Sequence, residues 1–144
     1  MSTRLPLVLA AEDEDTDAYI LHLAFEAAHV PNPLVVVKDG QQVVDYLTGA
    51  GIYGDRNAHP LPYLLTLDLK MPRMNGFDVL AWLTTRPELK GLPAVVISSS
   101  PDQEDIAKAR QLGATDYFVK PNQFEDFVSI IRTLQSRWLR PANL

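Results

Sequence analysis

Short apolar runs that stop at polar residues alternate along this chain with stretches of helical period. Leu7–Ala11 reads LVLAA and ends at Glu12-Asp13. The run shows no alternation of faces, which predicts a strand covered on both sides. Leu34–Val37, Leu64–Leu67, Ala94–Ile97 and Tyr117–Val119 repeat the pattern. The spacing between them predicts helices. Residues 16–28 carry Ile20, Leu23, Ala24 and Ala27 as a stripe, with Asp15 or Thr16 as the cap and Pro31 and Pro33 as breakers. Gln41–Thr48 follows an Asp39-Gly40 turn and turns Val43, Val44 and Leu47 inward. Phe77–Thr85 sets Phe77, Leu80, Ala81 and Thr84 on one face, and Gln103–Leu112 stops at Gly113. Phe124–Trp138 is the last helix, with Phe124, Phe127, Ile131, Leu134 and Trp138 spaced as a core face and Pro141 as its end. Trp138, near the thinning edge of that core, is also a candidate partner contact. The Gly/Pro/Asn-rich stretch 49–62 is long for a loop in a compact domain, so it is either an insertion or a functional surface.

Five strand–helix units predict an α/β fold, a doubly wound five-stranded parallel sheet with helices on both faces. At 144 residues, one domain spanning 1–144 is expected. The absence of cysteine removes disulfide frameworks, thiolate metal sites and cysteine nucleophiles from consideration. A net charge of −5 without a basic stripe speaks against nucleic acid as a partner. No apolar run has the length of a membrane span, and the acids at 12–15 cut short the first apolar run before it resembles a secretory signal. A cytoplasmic location is expected.

Sheets of this kind put their chemistry at the carboxyl ends of the strands. That rule selects Glu12 and Asp13 after the first strand, Asp68 after the third, Ser98 after the fourth and Lys120 after the fifth. Carboxylates brought together repel one another unless a cation intervenes. Oxygen donors without histidine or cysteine favour Mg²⁺, with Mn²⁺ as an alternative. An added ammonium and hydroxyl suit a phosphoryl group. No glycine-rich phosphate loop is present to bind a nucleotide, so Asp68 itself becomes the candidate acceptor, as an aspartyl phosphate. The alternate acids Asp13, Asp15 and Asp17 imitate the start of a calcium loop, but Ala18 and Ala24 occupy its glycine and glutamate positions. His22, His29 and His59 show no metal-ligand spacing.

Glu12-Asp13, LDLKMPRMNG at 67–76, Ser98-Ser99 and Lys120-Pro121 together resemble the receiver domains of two-component response regulators, over about residues 5–138. The resemblance implies a (βα)5 flavodoxin-like receiver fold. It implies that Asp68 is phosphorylated by a partner histidine kinase, with Asp13 a direct Mg²⁺ ligand and Glu12 acting largely through water. The main-chain carbonyl of Lys70 is implied as a further ligand, the side chain there being lysine where asparagine is more usual. Ser98 corresponds to the switch hydroxyl, Tyr117 to the aromatic switch, and Lys120 to the phosphate-binding lysine before a cis Lys120–Pro121 peptide. For Tyr117, a half-buried sheet-edge residue is the plain alternative.

A narrower similarity, to single-domain regulators paired with phytochrome-type histidine kinases, rests on ED followed by Asp17, the DG turn, YLTG at 46–49, the long loop and DLKMPRMNG. It implies a homodimer formed through the fourth helix, fifth strand and fifth helix. The final helix is expected to run nearly to the end of the sequence, so the output is a protein contact or onward transfer to another phosphorelay protein. Three other classes share the architecture. A haloacid-dehalogenase-type phosphatase needs an acid where Lys70 stands. A flavodoxin needs a hydroxyl-rich loop where the acids of 12–17 stand. A pseudo-receiver, acting as a phosphorylation-independent binding module, would not need the complete acid, hydroxyl and lysine set.

Overall fold

The computed structural model describes residues 5–139. Five strands form one parallel sheet: β1 (Val8–Ala11), β2 (Leu34–Val37), β3 (Leu64–Leu67), β4 (Ala94–Ser98) and β5 (Asp116–Val119), in the order β2-β1-β3-β4-β5. The helices are α1 (Asp15–Ala27), α2 (Gly40–Thr48), α3 (Gly76–Leu83), α4 (Gln103–Gln111) and α5 (Phe124–Leu134). This is the flavodoxin-like order with its reversal beside β1 and β3.

The sheet separates two cores, which explains why the strands read as unbroken apolar runs. Leu9, Ala11, Leu65, Leu67 and Val96 point to one side, where α2, α3 and α4 pack. Val8, Ala10, Leu64, Val95 and Ile97 point to the other, where α1 and α5 pack. Parallel pairing aligns Ala11 with Val37 and Leu67, and Ser98 with Val119, so the residues after β1, β3 and β5 emerge along one rim.

Several local expectations are corrected. In α1 the buried stripe is Leu21, Ala24, Phe25 and Ala28. It lies one residue on from the expected Ile20 and Leu23, because it brings the large Phe25 ring into the core. Asp15 is the first residue of α1 rather than its cap; Glu14 precedes it with no side-chain bond, and Asp15 pairs instead with Lys38. In α3, Ala81 and Thr84 face solvent while Val79 and Leu80 are buried. Asn75 and Asp78 close a reciprocal capping box there, at 2.9 and 3.1 Å. Phe124 is 43% exposed, since it sits in the first turn of α5 at the open rim. Trp138 is half-buried against the α1–α5 core in a π-helical turn, Gln135–Leu139, which follows α5. Pro141 lies outside the described residues.

Residues 49–62 form an ordered cap on the end of α2. Arg56 reaches back to the carbonyls of Tyr46 (2.8 Å), Leu47 (2.9 Å) and His59 (3.2 Å). Tyr46 and Leu47 lie in the last turn of α2, where carbonyls run short of helical donors, and the Tyr46 carbonyl also accepts the Gly49 N–H at 3.3 Å. Tyr46, fully buried and unforeseen as a core residue, packs its ring against Tyr53 and the edge of His59, and donates its hydroxyl proton to the Pro60 carbonyl at 2.9 Å. Replacing Arg56 by alanine should lower the unfolding free energy by about 2 kcal/mol, the scale of a lost charged hydrogen-bond set. Arg56→Lys should recover only part of it, having no planar fork. Urea unfolding of the variants checks both.

Candidate functional site

The strand ends deliver their acids to one point. Glu12 N–H donates to the Val37 carbonyl at 2.9 Å and Asp68 N–H to the Ala11 carbonyl at 3.2 Å, so the sheet ladder continues one residue beyond β1 and β3 and fixes both side chains. Lys120 N–H donates to the Ser98 carbonyl at 2.8 Å, which does the same after β5. The Lys120 ammonium then crosses the rim. It donates to Asp68 Oδ2 at 2.8 Å, Glu12 Oε1 at 3.0 Å and Asp17 Oδ2 at 3.0 Å. Asp68 Oδ1 accepts the Lys70 N–H at 3.2 Å. Glu12 and Asp68 are buried and Lys120 is largely covered.

Three carboxylates surround one ammonium in a place with little solvent. Burial pushes the Glu12 carboxyl up to about 8; Lys120 opposes the shift, and the neighbouring Asp68 charge adds to it. Lys120 is driven upward by its hydrogen bond to Asp68 and the charges of Glu12 and Asp68, which outweigh the opposing effect of its burial. The ammonium is therefore a fixed cation in this site.

Ser98 is 1% exposed, and its Oγ accepts the Ser100 N–H at 3.2 Å. Tyr117 is buried, not half-buried, and donates its hydroxyl proton to the Ser100 carbonyl at 2.8 Å. The Ser100 hydroxyl donates to Asp105 Oδ2 in the first turn of α4 at 2.6 Å. Ser98 and Tyr117 thus meet through one residue of the β4–α4 loop. Asp13 is partly exposed and, with Leu69, Lys70 and Phe77, lines a cavity on the rim. The Lys70 side chain points into solvent. The Lys120–Pro121 peptide is trans, and no cis peptide occurs among the described residues. The tertiary amide keeps a trans preference of about 0.5–1 kcal/mol, and the trans form already brings Lys120 to its three partners.

Two residues of this arrangement were not selected by the strand-end rule. Asp17 lies in the first turn of α1, where acids are ordinary helix-start residues, and only its spacing of four from Asp13 marked it. Ser100 is the third of three serines; Ser98 and Ser100 are buried and Ser99 between them is exposed, an alternation that begins only where β4 ends.

Glu12, Asp17 and Asp68 each offer an oxygen within 4.8 Å of the others. The donor set is hard oxygen throughout and is short of positive charge, so the residues present fit a divalent cation of the Mg²⁺ or Mn²⁺ type. Asp13 and Lys70, along the adjoining cavity, are the further candidates.

The model of the response regulator receiver domain matches residues 8–132, and the chain belongs to that family, whose members are signalling proteins rather than classical enzymes. Among solved structures, the response regulator RPA3017 in red light signaling of R. palustris superposes with a TM-score of 0.90 at 37% identity, covering 96% of each chain. The phosphorylated cyanobacterial phytochrome response regulator RcpA gives 0.84 at 30% identity, covering 94% of each. Response regulator Rcp1 of Synechocystis is 27% identical over 96% of this chain and 92% of its own length. The Mn(2+)-bound form of Rcp1 superposes with a TM-score of 0.82, covering 96% of this chain and 98% of that one. The chain is therefore a receiver domain similar to phytochrome-associated response regulators, and no helix among its described residues is long and apolar enough to cross a membrane.

The raised Glu12 carboxyl has a pH signature. Folding holds a proton there that the unfolded chain, with an ordinary value of 4.5, has released. Its contribution to stability is complete below about pH 4.5 and is lost as pH rises towards about 8. Cation-free protein should lose stability across that window, and Glu12→Gln should flatten the loss, as read by denaturant unfolding at a series of pH values.

Proposed function

We propose that Asp68 accepts a phosphoryl group from a histidine kinase of the phytochrome type in a Mg²⁺-dependent step, and that residues 1–144 act as a single cytoplasmic receiver domain signalling through protein contacts. The observation that carries this reading is the Asp68 carboxylate at the strand-end rim, held at 2.8 Å by Lys120 and flanked by Glu12 and Asp17. The RcpA neighbour is described as phosphorylated and Rcp1 as binding Mn²⁺, which supports both halves of the proposal.

In the transfer, a carboxylate oxygen of Asp68 forms the new P–O bond. The P–N bond of the partner's phosphohistidine breaks, and its electron pair stays on the imidazole. Glu12, Asp13, Asp68 and the Lys70 carbonyl would hold the cation, with Asp17 beside them. When bound there, the cation would supply charge neutralisation for phosphoryl oxygens. Lys120 transfers a hydrogen bond from the carboxylates to one of those oxygens. Ser98 gives up its bond with the Ser100 amide and donates to another. That change removes one of the bonds on Ser100, whose carbonyl holds Tyr117 and whose hydroxyl holds Asp105 of α4, so the modification shifts the population between two packings of the α4–β5 region. Homodimerisation through α4, β5 and α5 is part of the same reading. Val119 and Phe124 are exposed near that face.

A pseudo-receiver is the competing class, and the intact set of acids, hydroxyl and lysine weighs against it. Incubation with acetyl phosphate and Mg²⁺ should give one phosphoryl adduct by intact-mass spectrometry. Asp68→Asn should abolish it, and omission of Mg²⁺ should suppress it. An undiminished adduct on the Asp68→Asn protein would refute Asp68 as the acceptor. Tyr117→Phe should leave the adduct intact while lowering affinity for the downstream partner.

A further inference from the structure

The loop between β3 and α3 carries the Lys70 carbonyl, yet residues 70–75 belong to no helix or strand. Its shape is imposed from outside. Arg73 sits at φ +62°, the left-handed region, which strains a residue other than glycine. Its guanidinium donates through Nε to Asp39 Oδ2 at 2.8 Å and through Nη2 to the same oxygen. Asp39 is 4% exposed, and its other oxygen accepts the Gln42 N–H at 2.8 Å as the cap of α2. Beside this pair, Gly40 N–H donates to the Met74 carbonyl at 2.8 Å. A Cβ on Gly40 would fall 2.2 Å from that carbonyl oxygen, so only glycine permits the approach. At the far end, Gly76 N–H donates to the Leu69 carbonyl at 3.1 Å, and a Cβ there would fall 2.4 Å from the Asp68 carbonyl oxygen.

The arginine is the informative residue. Glycine would take the left-handed backbone at position 73 without strain. The chain instead has a side chain that reaches a buried carboxylate on a different strand–helix unit. Asp39 in turn needs a counter-charge, because a carboxylate this deeply covered is costly when unpaired. We propose that Asp39 and Arg73 are positioning residues: their ion pair clasps the β3–α3 loop to the β2–α2 turn and holds the Lys70 carbonyl in its ligand-ready place before a cation arrives. Neither residue is among the candidate cation or phosphoryl ligands. The inference rests on the reading of the rim as a divalent-cation site.

A purely structural role makes different demands. If Asp39 serves only as a helix cap, Asp39→Asn preserves it, since the amide oxygen still accepts the Gln42 N–H. If position 73 serves only through its backbone, Arg73→Gly improves it. The clasp is lost in both variants. The test uses the full chain, with hydrogen exchange of the 69–76 loop and of the Gly40 amide measured without cation and Mn²⁺ affinity measured by calorimetry. Both variants should exchange the Gly40 and Gly76 amides faster than the parent while α2 stays protected in Asp39→Asn. Both should bind Mn²⁺ about 10-fold more weakly, the scale at which residues behind a metal's own ligands act. Arg73→Lys should fall between, keeping charge without the fork. Parent affinity in Asp39→Asn and Arg73→Gly, even with lowered thermal stability, overturns the clasp alone. A parent protein that binds no Mn²⁺ overturns the site reading, and the clasp's role with it.

Discussion

One ammonium group holds the functional end of this molecule together. Lys120 spans the rim and bonds carboxylates that come from the end of β1, the end of β3 and the first turn of α1. Those acids are brought together by strand pairing, and their mutual repulsion has to be met by something. A single positive charge meets part of it. Burial above all, with the Asp68 charge adding to it, pushes the Glu12 carboxyl up to about 8, and the hard oxygens together suit a divalent cation. Removing the lysine from such a cluster would leave buried charge unpaired, a change of about 3–5 kcal/mol in comparable settings. The same lysine is thus a structural tie and, in the proposed cycle, the group that exchanges carboxylate for phosphoryl oxygen.

The rim is connected outward in two directions. Through the Ser98 carbonyl and hydroxyl it reaches Ser100, and from there Tyr117 and the start of α4. Through the β3–α3 loop it reaches Arg73, Asp39 and the cap of α2. The first connection depends on hydroxyl bonds that can be exchanged, as a responsive element requires. The second is built from an ion pair between a buried Asp39 and a solvent-facing Arg73, and from two glycines at backbone contact, as a fixed element requires. A receiver needs both: a frame that keeps ligands in place and a loop that re-forms when charge is added.

The sheet was legible because β1, β3 and β4 are buried along their whole length, the partly covered edge strands β2 and β5 are still mostly apolar, and a continuous apolar run ending in a polar residue is hard to mistake. Strand ends then pointed to Glu12, Asp13, Asp68, Ser98 and Lys120, and Glu12, Asp68 and Lys120 meet directly. Helix faces were less legible. In α1 two stripes share Ala24 and differ by one residue, and the periodicity contains nothing that chooses between them; packing of Phe25 does. Tyr46 reads as a polar aromatic in sequence, and its burial depends on a loop folding over it and accepting its hydroxyl proton. Asp17 reads as an ordinary helix-start acid until β5 brings Lys120 beside it. The Arg73–Asp39 pair is separated by 34 positions, and local spacing offers no sign of it.

The central claim is that the carboxylate at position 68 becomes the phosphorylated atom group. Borohydride reduction after acetyl phosphate treatment tests it most directly, since reduction of an aspartyl phosphate leaves homoserine at the modified position. Peptide mapping by mass spectrometry should find homoserine at position 68 and nowhere else, and only when Mg²⁺ was present. Homoserine at position 13 or 17, or a phosphoryl group that survives reduction on a serine, would contradict the account.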